Sequence, residues 1–288
     1  MILTNVNKRS AVKFATLASA LFLLAAYVFP VAEALSNGAV YSANCPCPGP
    51  QGTPPVWSHA QFLDALNSLN WAGYVVASDF SSPQATVTSA TGSWVVQTVA
   101  PSKRPVYSTQ WVGIGGFFSG DNSLIQTGTS SNSANGNTNY FAWYELLPAS
   151  ETPLGNSFPV SAGDNMGATV STSGGNSWTI TLTDVSATPS WTFTTTVTYA
   201  SSMKSAEWIE ERPAIAGSLT TLANFGTAEY GQVYTSVSGT SYATIGGSTL
   251  PIGSLSHQSI TMVSSPGKLL AKPSALSNDG TSFTVVYK

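Results

Sequence analysis

Charge is what this chain has least of. Asp, Glu, Lys and Arg make up 8% of its 288 residues, with 10 bases against 13 acids. With a formal net charge of −3 and no basic cluster, nucleic-acid binding is not expected. Scarce ionisable groups also limit the charge that builds up when carboxylates protonate, which suits acid as well as an extracellular surface. Histidine is almost missing, with only His59 and His257. A Ser-His-Asp triad would have to use His257, which lies in a polar, turn-like stretch, and the sequence has no Gly-x-Ser-x-Gly elbow. No His-Glu-x-x-His pattern or His/Cys cluster occurs, so neither a metal nor a cofactor is expected. Gly113-x-Gly115-Gly116 follows a strand pattern but opens no helix, which sets aside dinucleotide binding. The two cysteines, Cys45 and Cys47, are too few for a structural zinc site and too close for an unstrained disulfide. The folded part must hold together by its core.

What is present falls into three stretches. Lys8, Arg9 and Lys13 precede an apolar run from Phe14 to about Val31, and Ala32-Glu33-Ala34 has the small-x-small pattern of a cleavage site. Residues 1–34 therefore read as a signal peptide cut after Ala34, with an uncleaved membrane anchor as the competing reading. A secreted protein with no membrane contact after cleavage is expected. Residues 35–67 are rich in proline and glycine and read as a short propeptide or tether, ending in a possible amphipathic helix over 60–67.

Residues 68–288 read as one domain. Ser, Thr, Gly, Val and aromatics dominate it, a mixture that suits strands and turns. Strand patterns recur at 71–77, 84–99, 109–114, 140–147, 167–172, 177–183, 191–199, 208–209, 228–237, 259–263 and 281–287, with a Gly/Ser/Asn-rich loop expected between 114 and 140. Many short strands with regular turn signals imply an all-β antiparallel sandwich or barrel.

One run breaks the low-charge pattern: Ala206-Glu207-Trp208-Ile209-Glu210-Glu211-Arg212-Pro213. Such a cluster marks either a protected edge strand or a site. In extended geometry Glu207 and Glu211 share a face about 13 Å apart, and Glu210 points the other way. Paired-carboxylate glycosidases need about 5 to 9.5 Å, so no pair within this strand qualifies. A partner must come from another strand, and Glu145 and Gln126 are the candidates. Glu145 with Glu211 keeps a glycoside hydrolase open, and exposed tryptophans keep a lectin-like carbohydrate-binding sandwich open.

Five blocks in order narrow the choice: Asn70-Trp71-Ala72-Gly73-Tyr74-Val75, Gln110-Trp111-Val112-Gly113-Ile114-Gly115-Gly116, Leu124-Ile125-Gln126-Thr127-Gly128, Ala142-Trp143-Tyr144-Glu145-Leu146-Leu147-Pro148, and Ala206 to Glu211. Together they resemble the glutamic peptidases, or eqolisins. The resemblance implies a bent, concanavalin A-like β-sandwich of two roughly seven-stranded antiparallel sheets. It also implies a secreted acid endopeptidase, expected to be monomeric, that acts on polypeptides without a cofactor. By motif, Gln126 and Glu211 are the catalytic pair. Glu211 serves as general base toward water, and Gln126 stabilises the oxyanion. Trp71, Trp111, Tyr144, Glu145 and Glu207 are the expected substrate-binding residues, with Trp143 more weakly implicated. Glu145 is expected to raise Glu211 by like-charge repulsion. Two positions depart from fungal members, which carry aspartates where this chain has Gly115 and Phe141.

Overall fold

The structure is a computed structural model that describes Gln61 and residues 66–288. The signal-peptide stretch 1–34, Cys45, Cys47, His59 and most of the tether with its expected helix lie outside the described residues. Strand is by far the main regular structure of the described residues, with helix confined to two short turns. In chain order the main strands are β1 (Trp71–Ala77), β2 (Val87–Val95), β3 (Val106–Ile114), β4 (Ile125–Ala134), β5 (Asn137–Leu146), β6 (Asn165–Thr172) and β7 (Ser177–Asp184). They continue with β8 (Trp191–Thr198), β9 (Ser205–Glu211), β10 (Thr227–Tyr230), β11 (His257–Val263), β12 (Leu269–Pro273) and β13 (Phe283–Tyr287).

Two antiparallel layers result. One runs β5-β4-β3-β9-β1-β11. The other runs β8-β7-β6-β2-β10-β13-β12-β11. β11 serves both: residues His257 to Ile260 pair with β1, while Met262 and Val263 pair with β12. The hydrogen-bonded ladder is therefore continuous, with seventeen strands counting the short ones.

Side-chain alternation explains why the layers stack. On β7, Trp178, Ile180 and Leu182 are buried while Thr179, Thr181 and Thr183 are turned outward and half-buried. Trp208 of β9 donates its indole N–H to the Thr91 carbonyl of β2 at 2.7 Å, and Trp94 of β2 donates to Thr129 Oγ1 of β4 at 2.8 Å. These two indoles stitch the layers across a core that also holds Trp178, Tyr230 and Phe283. Truncating any of the large rings to alanine would cost about 3–5 kcal/mol.

The first layer has a second apolar face. Trp71, Val75, Trp111, Leu124, Trp143, Ile209 and Ile260 cluster there, away from the main core. Every residue of β1, β3, β4 and β9 is buried, so these strands are covered on both faces.

Three sequence expectations change. The loop expected between 114 and 140 contains β4, a ten-residue strand with no exposed residue. Its Ser, Thr, Gly and Asn side chains are small enough to sit in mid-sheet between β3 and β5, so loop-like composition misled. The strand expected over 228–237 stops at Tyr230. Gly231 takes φ 93°, and a one-turn helix, Gln232–Thr235, follows. A hairpin of Tyr242–Ile245 and Ser248–Pro251, turning at Gly246 and Gly247, was not anticipated despite its Gly-Gly signal. Asn67 and Ser68 pair in parallel with Thr261 and Met262.

Candidate active site

Register decides which side chains share the second face. One cross-strand row is Val75–Glu207–Gly113–Gln126–Glu145, read from β1 through β9, β3 and β4 to β5. The next row on this face is Ile209–Trp111–Gly128–Trp143. The third is Trp71–Glu211–Thr109–Ser130–Phe141. Gln126 and Glu211 thus lie on one face at opposite ends of a three-row patch, with Trp111 in the row between them. Gly128 makes that middle row possible: a Cβ there would stand 2.6 Å from Trp111 Cβ and 3.0 Å from Trp143 Cζ2.

Glu211 is held by nitrogen donors. Trp111 Nε1 donates to Oε2 at 2.8 Å, and Asn70 Nδ2 donates to Oε1 at 3.2 Å. Asn70 is aimed by its own oxygen, which accepts from Gln61 N at 2.8 Å and Ser68 Oγ at 2.9 Å. Its amide nitrogen must therefore face the carboxyl. Trp71 packs edge-on against Trp111 at 4.9 Å, and its indole also favours the ionised form of Glu211. Burial outweighs all three donors and pushes Glu211 up to about 8. Desolvation is the main cause of the rise at Glu211, and like-charge repulsion between Glu211 and Glu145 raises Glu145.

Gln126 meets Glu145 rather than Glu211. Its Nε2 donates to Glu145 Oε2 at 2.7 Å, while its carbonyl Oε1 is buried with no partner. Glu145 lies well above the ordinary range, from burial first and then from Glu151 and Glu211. The charge of Glu211 is felt at Glu145, so the two ends of the patch form one electrostatic unit. Thr109 and Ser130, in the row of Glu211, also bury hydroxyls without partners. A buried patch with several orphan polar atoms on one face is built to receive polar groups.

The other expected residues divide. Trp71, Trp111, Trp143, Glu145 and Glu207 all lie on this face. Glu207 is fully buried and raised by desolvation, its carboxyl oxygens making no hydrogen bond of standard geometry. Tyr144 is not on this face. It is one position out of phase with Trp143 and Glu145, packs on the interlayer core and stacks on Phe193 of β8 at 5.7 Å, so the structure does not bring it together with the other expected substrate-binding residues. Glu210 also points into the core, as alternation required, and receives Gln97 Nε2 at 2.9 Å and Tyr230 OH at 3.3 Å. His257 is an exposed residue whose Nδ1 lies 2.8 Å from the Leu255 carbonyl. Asn70 is the residue that sequence reasoning quoted but gave no role, and its place beside Trp71 was the available signal.

Gly115 departs from the fungal aspartate for a backbone reason. It takes φ 94°, and a Cβ would come within 2.7 Å of the Ser123 carbonyl. Phe141 packs against the apolar cluster of the site face. Among the described residues no group of acids, histidines or cysteines is placed to hold a metal ion.

Comparison with known proteins gives the chain a family and a fold. The model of the peptidase A4 family matches residues 69–270. Scytalido-glutamic peptidase, solved with a transition state analog inhibitor, aligns with a TM-score of 0.61 at 19% identity, covering 76% of this chain and 98% of that one. SCP-B, described as a member of the eqolisin family of peptidases in a complex with the tripeptide Ala-Ile-His, gives 0.57 at 19%, with the same coverage. Aspergilloglutamic peptidase from Aspergillus niger gives 0.53 at 27%, covering 64% of this chain and 99% of that one. No curated protein matches this chain in sequence.

Proposed function

The chain belongs to the peptidase A4 family and is a glutamic-type peptidase, and from that premise we propose that Gln126 and Glu211 form its catalytic dyad. The observation that carries the reading is the buried, unpartnered Oε1 of Gln126 on the same face as a carboxyl gripped by Trp111 and Asn70. A water seated between them donates one hydrogen to Gln126 Oε1 and the other to ionised Glu211. As the water oxygen attacks the scissile carbonyl, Glu211 takes its proton. The Gln126 N–H not used by Glu145 donates to the oxyanion. When the tetrahedral intermediate collapses, Glu211 returns the proton to the leaving amine. Glu145 is a positioning residue here, since its hydrogen bond fixes the plane of the Gln126 amide.

The raised pKa of Glu211 has two consequences. It makes the carboxylate a stronger base and, once protonated, a donor matched to an amine leaving group. It also leaves little of the ionised form in strong acid. Glu145, Glu207, Glu210 and Glu211 are all buried and raised, so the fold is favoured in acid, where turnover runs on the fraction of Glu211 that is ionised and rises as that fraction grows. Secretion through the segment 1–34 completes the proposal. Hydrolysis of an unfolded protein substrate in acid by the purified chain, lost in both Gln126→Ala and Glu211→Gln, supports the dyad. Retained activity in either variant refutes the residue assignment.

A further inference from the structure

Two loops leave the sheet at the Gln126 end of the site. One follows β1 and carries Phe80. The other follows β3 and carries Phe117 and Phe118. β1 and β3 flank β9, and the register Ala77↔Ser205 and Ile114↔Ala206 puts both departures beside the start of β9, two residues and one residue past the row of Glu207 and Gln126. The three rings meet there. Their centroids are 5.8 Å apart for Phe80 and Phe117, 6.1 Å for Phe80 and Phe118, and 5.1 Å for Phe117 and Phe118. All three pack on the apolar cluster of the site face rather than on the main core. Phe80 and Phe118 keep part of their surface in solvent.

These rings are held in place before any ligand arrives. Asp121 clamps the second loop, with Oδ2 accepting from Gly116 N at 3.1 Å and Ser202 Oγ at 2.5 Å, and Oδ1 accepting from Ser123 N at 2.9 Å. Asp121 N donates back to the Phe118 carbonyl at 2.9 Å. On the first loop Asp79 Oδ1 accepts from Ser81 N at 2.6 Å, and Ser78 Oγ accepts from Gln84 N at 2.9 Å. Aromatics held on hydrogen-bonded loops beside a reactive site bind apolar groups at low entropic cost.

We propose that Phe80, Phe117 and Phe118 are specificity-determining residues that receive a bulky apolar substrate side chain on the Gln126 side of the scissile bond. The assignment rests on the dyad reading, which gives the cleft its two ends. The row of Glu211, at the other end, holds Trp71, Thr109, Ser130 and Phe141, so its aromatics are set within the sheet instead of on loops beyond it.

The test uses the purified full chain and matched peptides that carry Leu or Ser at each position around one cleavable bond. Wild type should prefer Leu over Ser at one position by about tenfold to a hundredfold in kcat/KM, the range a hydrophobic pocket supplies. Phe118→Ala and Phe80→Ala should each lower that ratio severalfold, and Phe118→Leu should restore most of it. A merely structural loss would lower both kcat/KM values together and leave the ratio unchanged, which overturns the proposal. Wild type that cleaves peptides without an apolar preference overturns it too, while the dyad reading stands. Wild type that cleaves no peptide refutes the dyad reading, and this one with it.

Discussion

Glu211 makes the stability of this protein depend on pH in a direction opposite to that of most paired carboxylates. Burial raises it from 4.5 to about 8 in the folded chain. The folded state therefore binds a proton that the unfolded state has already released, and stability must fall as pH rises between those two values. Below about 4.5 the contribution is complete, and above about 8 it is gone. At about 1.4 kcal/mol per pH unit, the difference is worth roughly 5 kcal/mol. Because whole domains are stable by only about 5–15 kcal/mol, this one group can decide whether the fold survives at neutral pH. Glu145, Glu207 and Glu210 are raised in the same direction and add to the trend.

Urea unfolding followed by tryptophan fluorescence, at intervals from about pH 4 to 8, measures the effect. The comparison is between wild type and Glu211→Gln, which keeps the shape and removes the proton linkage. The variant leaves an amide NH2 facing Asn70 Nδ2 or Trp111 Nε1, so it starts with a penalty that does not vary with pH. The informative quantity is the slope. Wild type should lose roughly 5 kcal/mol more than the variant across that span. Equal slopes, or a wild type more stable at pH 8 than at pH 4.5, would refute the reasoning.

Four further outcomes are expected. Gln126→Ala should lower kcat by about 10²–10³-fold and cost about 1–3 kcal/mol of stability through the lost bond to buried Glu145, as measured by peptide turnover and urea titration. Glu211→Gln should lower kcat by about 10²–10⁴-fold under conditions where circular dichroism shows it folded. Trp111→Phe removes a donor that favours the ionised carboxyl, so Glu211 should rise beyond about 8 and the acid limb of the kcat/KM profile should move to higher pH. Gly115→Asp, which restores the fungal residue, should cost at least about 1–3 kcal/mol, because φ 94° and the Ser123 carbonyl oppose a side chain. An unchanged urea midpoint for that variant would mean the loop adjusts.

Much of the fold was legible because hydrophobic alternation is local. Residues 177–183 and 191–199 announced β7 and β8 with little error, β7 having one face in the core and β8 alternating between half-buried and exposed side chains. β4 was not legible, since both its faces are covered and it carries Ser, Thr and Gly instead of an apolar stripe. Its position follows from the register with β3 and β5, a long-range fact that composition does not contain. The site divides along the same line. Strand alternation separated Glu207 and Glu211 from Glu210, and the same rule, applied to Trp143, Tyr144 and Glu145, would have turned Tyr144 toward the core. Which partner each polar group takes was beyond reach: Gln126 chose Glu145, and Asn70 reached across 141 positions to Glu211.

The three carboxyls of β9 then serve two faces of one strand, and their adjacency has a cost. Glu210 is fully buried in the interlayer core, where Gln97 and Tyr230 satisfy it and where it is held well above the ordinary range. Glu211, the next residue, contributes to that rise through its charge. Ionising Glu211 for catalysis therefore makes Glu210 harder to ionise, and the core acid keeps its proton while the cleft acid gives one up. Had the two shared a face, the second charge would have met the first in the cleft. Placed on opposite faces, they let the site carry a charge while the core stays neutral. The cluster that breaks the low-charge pattern of this chain is thus a pair of separately buried cleft acids and one core acid, ordered by the strand's alternation.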